Sequence, residues 1–228
     1  MRRIYLLLMM CGWAAAELPT IPVVATSGAE PLDPASAVWK TVPPVRIALN
    51  RTPPLYSTDA PAAAEIPAVQ LQILRDGQKA VLRLEWKDAS RDAATLPAAK
   101  NTWQSETTLV HSEATNRFFD ACAVMIPARP DASGIFPSLQ MGDADHPVIL
   151  YYYDVTRGAA VMEGSGRGAT RRTGKTFPAR AAYSGDAWQV TMELDAFAAG
   201  TPLSVAIWNG RQQDRDGRKY FSVWHKTR

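Results

Sequence analysis

Period-two alternation of apolar and polar residues recurs along the chain and constrains its fold more than any other feature. Val69, Leu71 and Ile73 alternate with Gln70 and Gln72, Asp76-Gly77 supplies a turn, and Ala80, Leu82, Leu84 and Trp86 then alternate with Val81, Arg83, Glu85 and Lys87. Successive side chains of a strand point to opposite faces, so this segment predicts a β-hairpin with one buried and one wet face. Asp120 to Pro127 and the β-branched and aromatic run Val148 to Tyr153 are dense enough in apolar residues for central strands. Trp188, Val190, Met192 and Leu194, then Leu203, Val205 and Ile207, repeat the alternation, and Tyr220 to Trp224 completes the set. Gly, Pro and Asp punctuate these runs and helical periodicity is scarce. The expected fold is mainly β, an antiparallel β-sandwich with a few short helices, for which Ala93 to Lys100 and Ser112 to Phe119 are the candidate windows.

The ends of the sequence divide it further. Met1-Arg2-Arg3, an apolar run from Ile4 to Trp13, and Ala14-Ala15-Ala16 before Glu17 form a secretory signal over residues 1–16, with cleavage after Ala16. No other stretch approaches the roughly twenty apolar residues a spanning helix needs, so the expected location is the periplasm, without a membrane span. Residues 17–67 are rich in Pro and Ala. Because proline lacks the amide donor that a central strand requires, they predict an extended lead-in packed on the core, anchored by Trp39 and by Leu55-Tyr56. Residues 68–228 form the sandwich domain.

Removing Arg2 and Arg3 takes the formal net charge from +3 to +1, which removes any bulk electrostatic case for nucleic acid. Removing Cys11 leaves Cys122 as the only thiol, so no internal disulfide forms and stability rests on an apolar core. Cys-x-x-Cys-His does not occur, which excludes covalent c-type haem. His111, His146 and His225 are too scattered in sequence for a zinc motif. Gly164-Ser165-Gly166-Arg167-Gly168 lacks the Lys-Ser/Thr of a phosphate loop and reads as a mobile surface loop beside the basic residues Arg167, Arg171, Arg172 and Lys175. Asp143, Asp145 and Asp154 lie beside loops, where turn formation competes with any hydrolytic role.

Four stretches in order resemble the haem-binding gamma subunits of the ethylbenzene dehydrogenase, dimethyl sulfide dehydrogenase, selenate reductase and chlorate reductase group. They are Val69 to Asp88 with Leu84-Glu85-Trp86-Lys87-Asp88; Asp120 to Pro127; Phe136-Pro137 through Met141-Gly142-Asp143 to Pro147-Val148; and Trp208-Asn209-Gly210 through Gly217-Arg218-Lys219 to Trp224. The resemblance implies one non-covalent b-type haem whose iron is held by Met141 and Lys219. It also implies a non-catalytic role, relaying electrons between the iron–sulfur subunit of a molybdenum oxidoreductase and a soluble periplasmic cytochrome or similar partner.

The residue chemistry suits that implication. A thioether is a neutral, soft ligand that favours ferrous iron. Lysine binds only as the free amine, which from a reference pKa of about 10.4 costs roughly 4.6 kcal/mol at pH 7, and burial lowers the cost. Met141 equally suits a core-filling methionine, and Lys219 beside Arg215 and Arg218 a solvated lysine. Met125, Met162, Met192, Lys226 and His225 are the substitute ligands. Two readings compete: an exported carbohydrate-binding sandwich using Trp39, Trp103, Trp188, Trp208 and Trp224 as a platform, and a structural subunit of an exported complex without haem.

Overall fold

The computed structural model describes residues 18–27, 31–52, 65–93, 118–129 and 134–228. The signal segment, Leu55-Tyr56, Trp103 and His111 lie outside these residues, as do both candidate helical windows except at Ala93, Phe118 and Phe119. Among the described residues the only helical element is a 3-10 turn at Ala37–Thr41, and no helix is long and apolar enough to cross a membrane.

Among the described residues fifteen strands make two sheets. The lead-in supplies β1 (Thr20–Ile21), β2 (Val23–Ala25), β3 (Val45–Ala48) and β4 (Asn50–Arg51). β5 (Ala68–Asp76) and β6 (Lys79–Lys87) form the expected hairpin, with Asp76 opposite Lys79 and Gly77 at φ 57° in the turn. β7 (Ala121–Pro127), β8 (Val148–Asp154), β9 (Gly158–Gly164) and β10 (Thr170–Arg172) follow, and then β11 (Ala179–Tyr183), β12 (Ala187–Asp195), β13 (Pro202–Trp208), β14 (Tyr220–Phe221) and β15 (His225–Thr227). One sheet runs β1-β15-β13-β7-β8-β9-β10, with β14 pairing β13 and β4. The other runs β11-β12-β6-β5-β2, with β3 also on β5.

The architecture is the expected sandwich, with two departures at its edges. Both sheets are mixed, because the lead-in strands β1 and β2 join β15 and β5 in parallel. Tyr220 to Trp224 is not one strand: β14 pairs with the second half of β13 and β15 with its first two residues, so the chain steps between them.

The faces separate by parity. Leu71, Ile73, Leu82, Leu84, Val190 and Met192 from one sheet meet Cys122, Val124, Leu203, Val205 and Ile207 from the other in a closed core. The opposite face of the β5–β6 hairpin, expected to be wet, is covered in part. Trp39 and Val42 pack on Leu74 and Val81, and the buried Gln72 donates to the carbonyls of Trp39 (2.7 Å) and Val42 (2.5 Å). A chain crossing the sheet has unpaired carbonyls, and a glutamine amide satisfies them where a leucine would leave them orphaned.

Because Cys122, Val124, Val205 and Ile207 fill the inter-sheet core, their neighbours Ala121, Ala123, Met125, Ser204, Ala206 and Trp208 face outward from the larger sheet. Ala206, Ala123, Tyr152 and Ala160 lie in one register row across β13, β7, β8 and β9. Alanines make this row a shallow floor, bordered by Met125 and Leu150. This outer face carries the candidate site.

Candidate functional site

Two loops close over the alanine floor, each delivering one of the residues singled out in the sequence. The crevice between floor and loops is lined by Ala123, Met125, Leu150, Ala206 and Phe221 from the sheet, with Leu139 and Lys219 from the loops.

The first loop joins β7 to β8 and turns at Met141. Gly142 donates its amide to Ser138 O (2.8 Å), and Met141 takes φ 76°, a left-handed conformation uncommon for a residue with a side chain. Its neighbours enforce it. Met141 O accepts from Gly166 N–H at 3.0 Å, and a Cβ on Gly164 would stand 2.7 Å from that same oxygen. Asp143 closes the loop by accepting from the amides of His146 (2.8 Å) and Asp145 (3.0 Å). The His146 amide is the main cause holding its carboxyl below the usual range. Gly164 to Gly166, expected to be a mobile surface loop, is therefore the backing of Met141. Asp143 and Asp154 are turn-forming acids, Asp154 capping the amides of Thr156 and Arg157 at 2.8 Å each.

The second loop joins β13 to β14. Asp214 organises it by accepting from Asn209 N–H (3.1 Å) while forming a two-pronged pair with Arg51 of β4 (2.5 and 2.6 Å). Arg218 reaches the same carboxylate at 3.6 Å. Lys219 is fixed through its backbone by Thr52, whose amide (2.9 Å) and hydroxyl (2.8 Å) both donate to Lys219 O. The lysine is thus placed by the lead-in, 167 residues away in sequence.

Lys219 Nζ lies 3.6 Å from Met141 Sδ. The side chain is buried, with its nitrogen 5.2 Å from the centre of the Trp208 ring. Among the described residues no carboxylate forms an ion pair with it. Burial pushes its pKa down to about 8, with Asp216 opposing from a longer distance. A cation that faces a thioether and a ring gains far less than one facing a carboxylate, so the site favours the free amine more than water does.

The other candidates sort by position. Met125 lines the crevice, and Met162 packs with Met141, Trp224 and Leu150. Met192 is sealed in the inter-sheet core. His225 is buried on β15, its Nδ1 2.9 Å from Val223 O, with its pKa lowered by burial. Lys226 is exposed, and His146 engages Asp143 at 3.1 Å. Trp39, Trp188, Trp208 and Trp224 are all buried, so among the described residues they offer no exposed platform for a sugar.

Sequence reasoning did not find the support of the second loop at its base. The fully buried Asp120 accepts from Asp92 N–H (2.8 Å), Trp188 Nε1–H (2.9 Å) and Gly210 N–H (2.9 Å). A Cβ on Gly210 would fall 2.7 Å from Phe118 O, so only glycine permits this approach. Burial is the largest influence on Asp120 and pushes its pKa up to about 7, although the three donors favour the carboxylate. An unfolded chain ionises this group near 3.8, so between the two values the folded state binds more protons. Stability should fall as pH rises from about 4 to 7, by up to about 4 kcal/mol, and level off above. Urea titrations across that range should show a shallower slope for Asp120→Asn. An identical slope in the variant would remove Asp120 as the cause.

The outer face of this two-sheet β-sandwich carries an apolar crevice in which a thioether and a buried amine meet. The donor types suit an iron porphyrin, the thioether as it stands and the amine once it gives up a proton that burial has already loosened. The chain belongs to the ethylbenzene dehydrogenase family, whose model matches residues 36–190. It is 26% identical over 225 residues to a chain of Haloferax mediterranei named as a respiratory nitrate reductase heme subunit, covering 92% of this chain and 72% of that one. It is likewise 26% identical over 230 residues to the dimethylsulfide dehydrogenase subunit gamma of Rhodovulum sulfidophilum (90% and 78% covered). With the chlorate reductase subunit gamma of Ideonella dechloratans it shares 25% over 238 residues (95% and 90% covered).

Proposed function

We propose that this chain is the haem subunit of a periplasmic molybdenum oxidoreductase, and that Met141 and Lys219 would hold the iron of one non-covalent b-type haem. The observation that carries this reading is the 3.6 Å approach of those two atoms inside an apolar crevice, on segments 78 residues apart. A relative named as a heme subunit and two named as gamma subunits support the cofactor and a multisubunit assembly. A haem held by both residues would supply a one-electron ferric/ferrous couple and leave no open position for substrate.

In this reading the chain's own residues bind, orient and exclude water. The alanine floor, continued by Phe221, would face a flat macrocycle, Leu139 would shield it, and the two loops would present the ligands from supports far from the crevice. Electrons pass between an iron–sulfur subunit and a soluble redox partner, and the molybdenum centre resides in another chain.

The test is the absorption spectrum of the protein purified from the periplasm, oxidised and reduced, with a pyridine haemochrome assay. A Soret band and a haem b haemochrome near one per chain are expected. A colourless protein from haem-replete cells would reject the reading and leave the haem-free structural subunit in its place.

A further inference from the structure

Among the described residues the exposed large apolar side chains are Ile135, Phe136 and Val223. All three lie on the two segments that frame the crevice: Ile135 and Phe136 lead into the Met141 loop, and Val223 follows Lys219 by four positions. The segments are locked together. Phe136 stacks on Trp224 with ring centres 6.4 Å apart and planes at 27°, and Trp224 Nε1 donates to Pro137 O at 2.9 Å. Trp224 is itself buried, so the apolar group above it is held on a rigid support and loses little freedom on docking. Lys226 Nζ stands 5.9 Å from the centre of the Phe136 ring. Lys226 and Arg228 are exposed while His225 and Thr227 between them are buried, which puts both cations on the outer side of the last strand.

We propose that Ile135, Phe136 and Val223, rimmed by Lys226 and Arg228, form the docking surface for a soluble redox protein whose own face carries carboxylates around an apolar centre. The inference rests on the haem reading and names the surface through which that site exchanges electrons. Three partly exposed side chains offer on the order of 300 Å² of apolar area. A permanent subunit interface buries roughly 1,000 Å² or more on each partner, so the patch suits a brief encounter. The cations select an acidic partner and speed its approach at low salt.

The experiment uses the haem-loaded protein, reduced and mixed in a stopped-flow instrument with oxidised plastocyanin, an acidic probe, or with mitochondrial cytochrome c, a basic one. In each reaction one electron leaves the haem protein and reduces the copper or iron of the probe. Plastocyanin should react faster at low ionic strength and slow as salt rises. Lys226→Glu should slow it about tenfold at low salt and speed cytochrome c, while Phe136→Ser and Val223→Ser should slow plastocyanin at every salt concentration. Oxidation by benzoquinone, small and neutral, should be unchanged in all variants, showing an intact redox centre. A coloured protein whose three variants all react with plastocyanin at the wild-type rate overturns the docking surface, as does faster reaction with the basic probe. A protein without a Soret band overturns the haem reading and this inference together.

Discussion

Replacing Lys219 by arginine is expected to cut haem retention at least tenfold while leaving the protein folded. Arginine keeps the positive charge and a long apolar stem, but its guanidinium does not release its proton in a protein. A solvated or structural lysine would tolerate that exchange, whereas an amine that must donate a lone pair to iron would not. In the native chain burial has already brought Lys219 to about 8, so freeing the amine at pH 7 costs about 1.4 kcal/mol instead of the roughly 4.6 kcal/mol for an exposed lysine. Lys219→Met restores a neutral donor of similar length and should retain a substantial fraction of haem at a higher reduction potential, because a thioether favours ferrous iron. Met141→Leu keeps the volume and removes the sulfur, and should also lose at least tenfold. The readout is haem per chain by pyridine haemochrome, with far-ultraviolet circular dichroism as the folding check. Full retention with an unchanged spectrum in both Lys219→Arg and Met141→Leu would eliminate this ligand pair.

The β5–β6 hairpin and the inter-sheet face of β12 and β13 were legible because their information is local. Alternation names the buried face and Asp76-Gly77 names the turn within a span of about twenty residues. Gln72 shows where that logic stops. Its polarity marked a wet face, yet it is buried under the 3-10 turn because a crossing strap has carbonyls to satisfy. The parallel pairing of β1 and β2 was hidden for a related reason, since two or three residues of strand carry no periodicity.

Of the candidate site, only the two tips that the loops bring together were singled out in the sequence. Nothing periodic distinguishes Met141 or Lys219 from other methionines and lysines, and it was the order of four stretches, seen as a resemblance, that singled them out. What holds them was out of reach. Thr52 meets Lys219, Arg51 meets Asp214 across 163 residues, and Asp120 meets Gly210 across 90. Partners so far apart leave no spacing to recognise. One signal was present and passed over: glycines at 142, 164 and 166 bracket a methionine that itself has a left-handed backbone, and close backbone approach is what glycine permits.

The pair Arg51–Asp214 should carry the largest single stability effect in the second loop. The Asp214 side chain is wholly buried and that of Arg51 is 13% exposed, so removing either partner strands a charge away from water. Such losses cost about 3–5 kcal/mol, well above the fraction of a kcal/mol of a surface pair such as Lys79–Asp195. Arg51→Ala should be the worse of the two. It leaves Asp214 with the Asn209 amide at 3.1 Å and the mostly exposed Arg218 at 3.6 Å, and it removes the guanidinium that stacks 4.5 Å over Tyr220. Asp214→Ala leaves Arg51 that ring and a path toward solvent. In urea unfolding the midpoint should drop by about 2 M for Arg51→Ala at an ordinary m-value, and haem retention should fall with it, since β4 and β14 pair at Tyr220 beside Lys219. The double variant Arg51→Met, Asp214→Leu separates pairing from packing: it removes both charges together and should be destabilised by clearly less than the sum of the single changes. Additive losses would show that the two side chains act independently and that the loop is held by its turns alone.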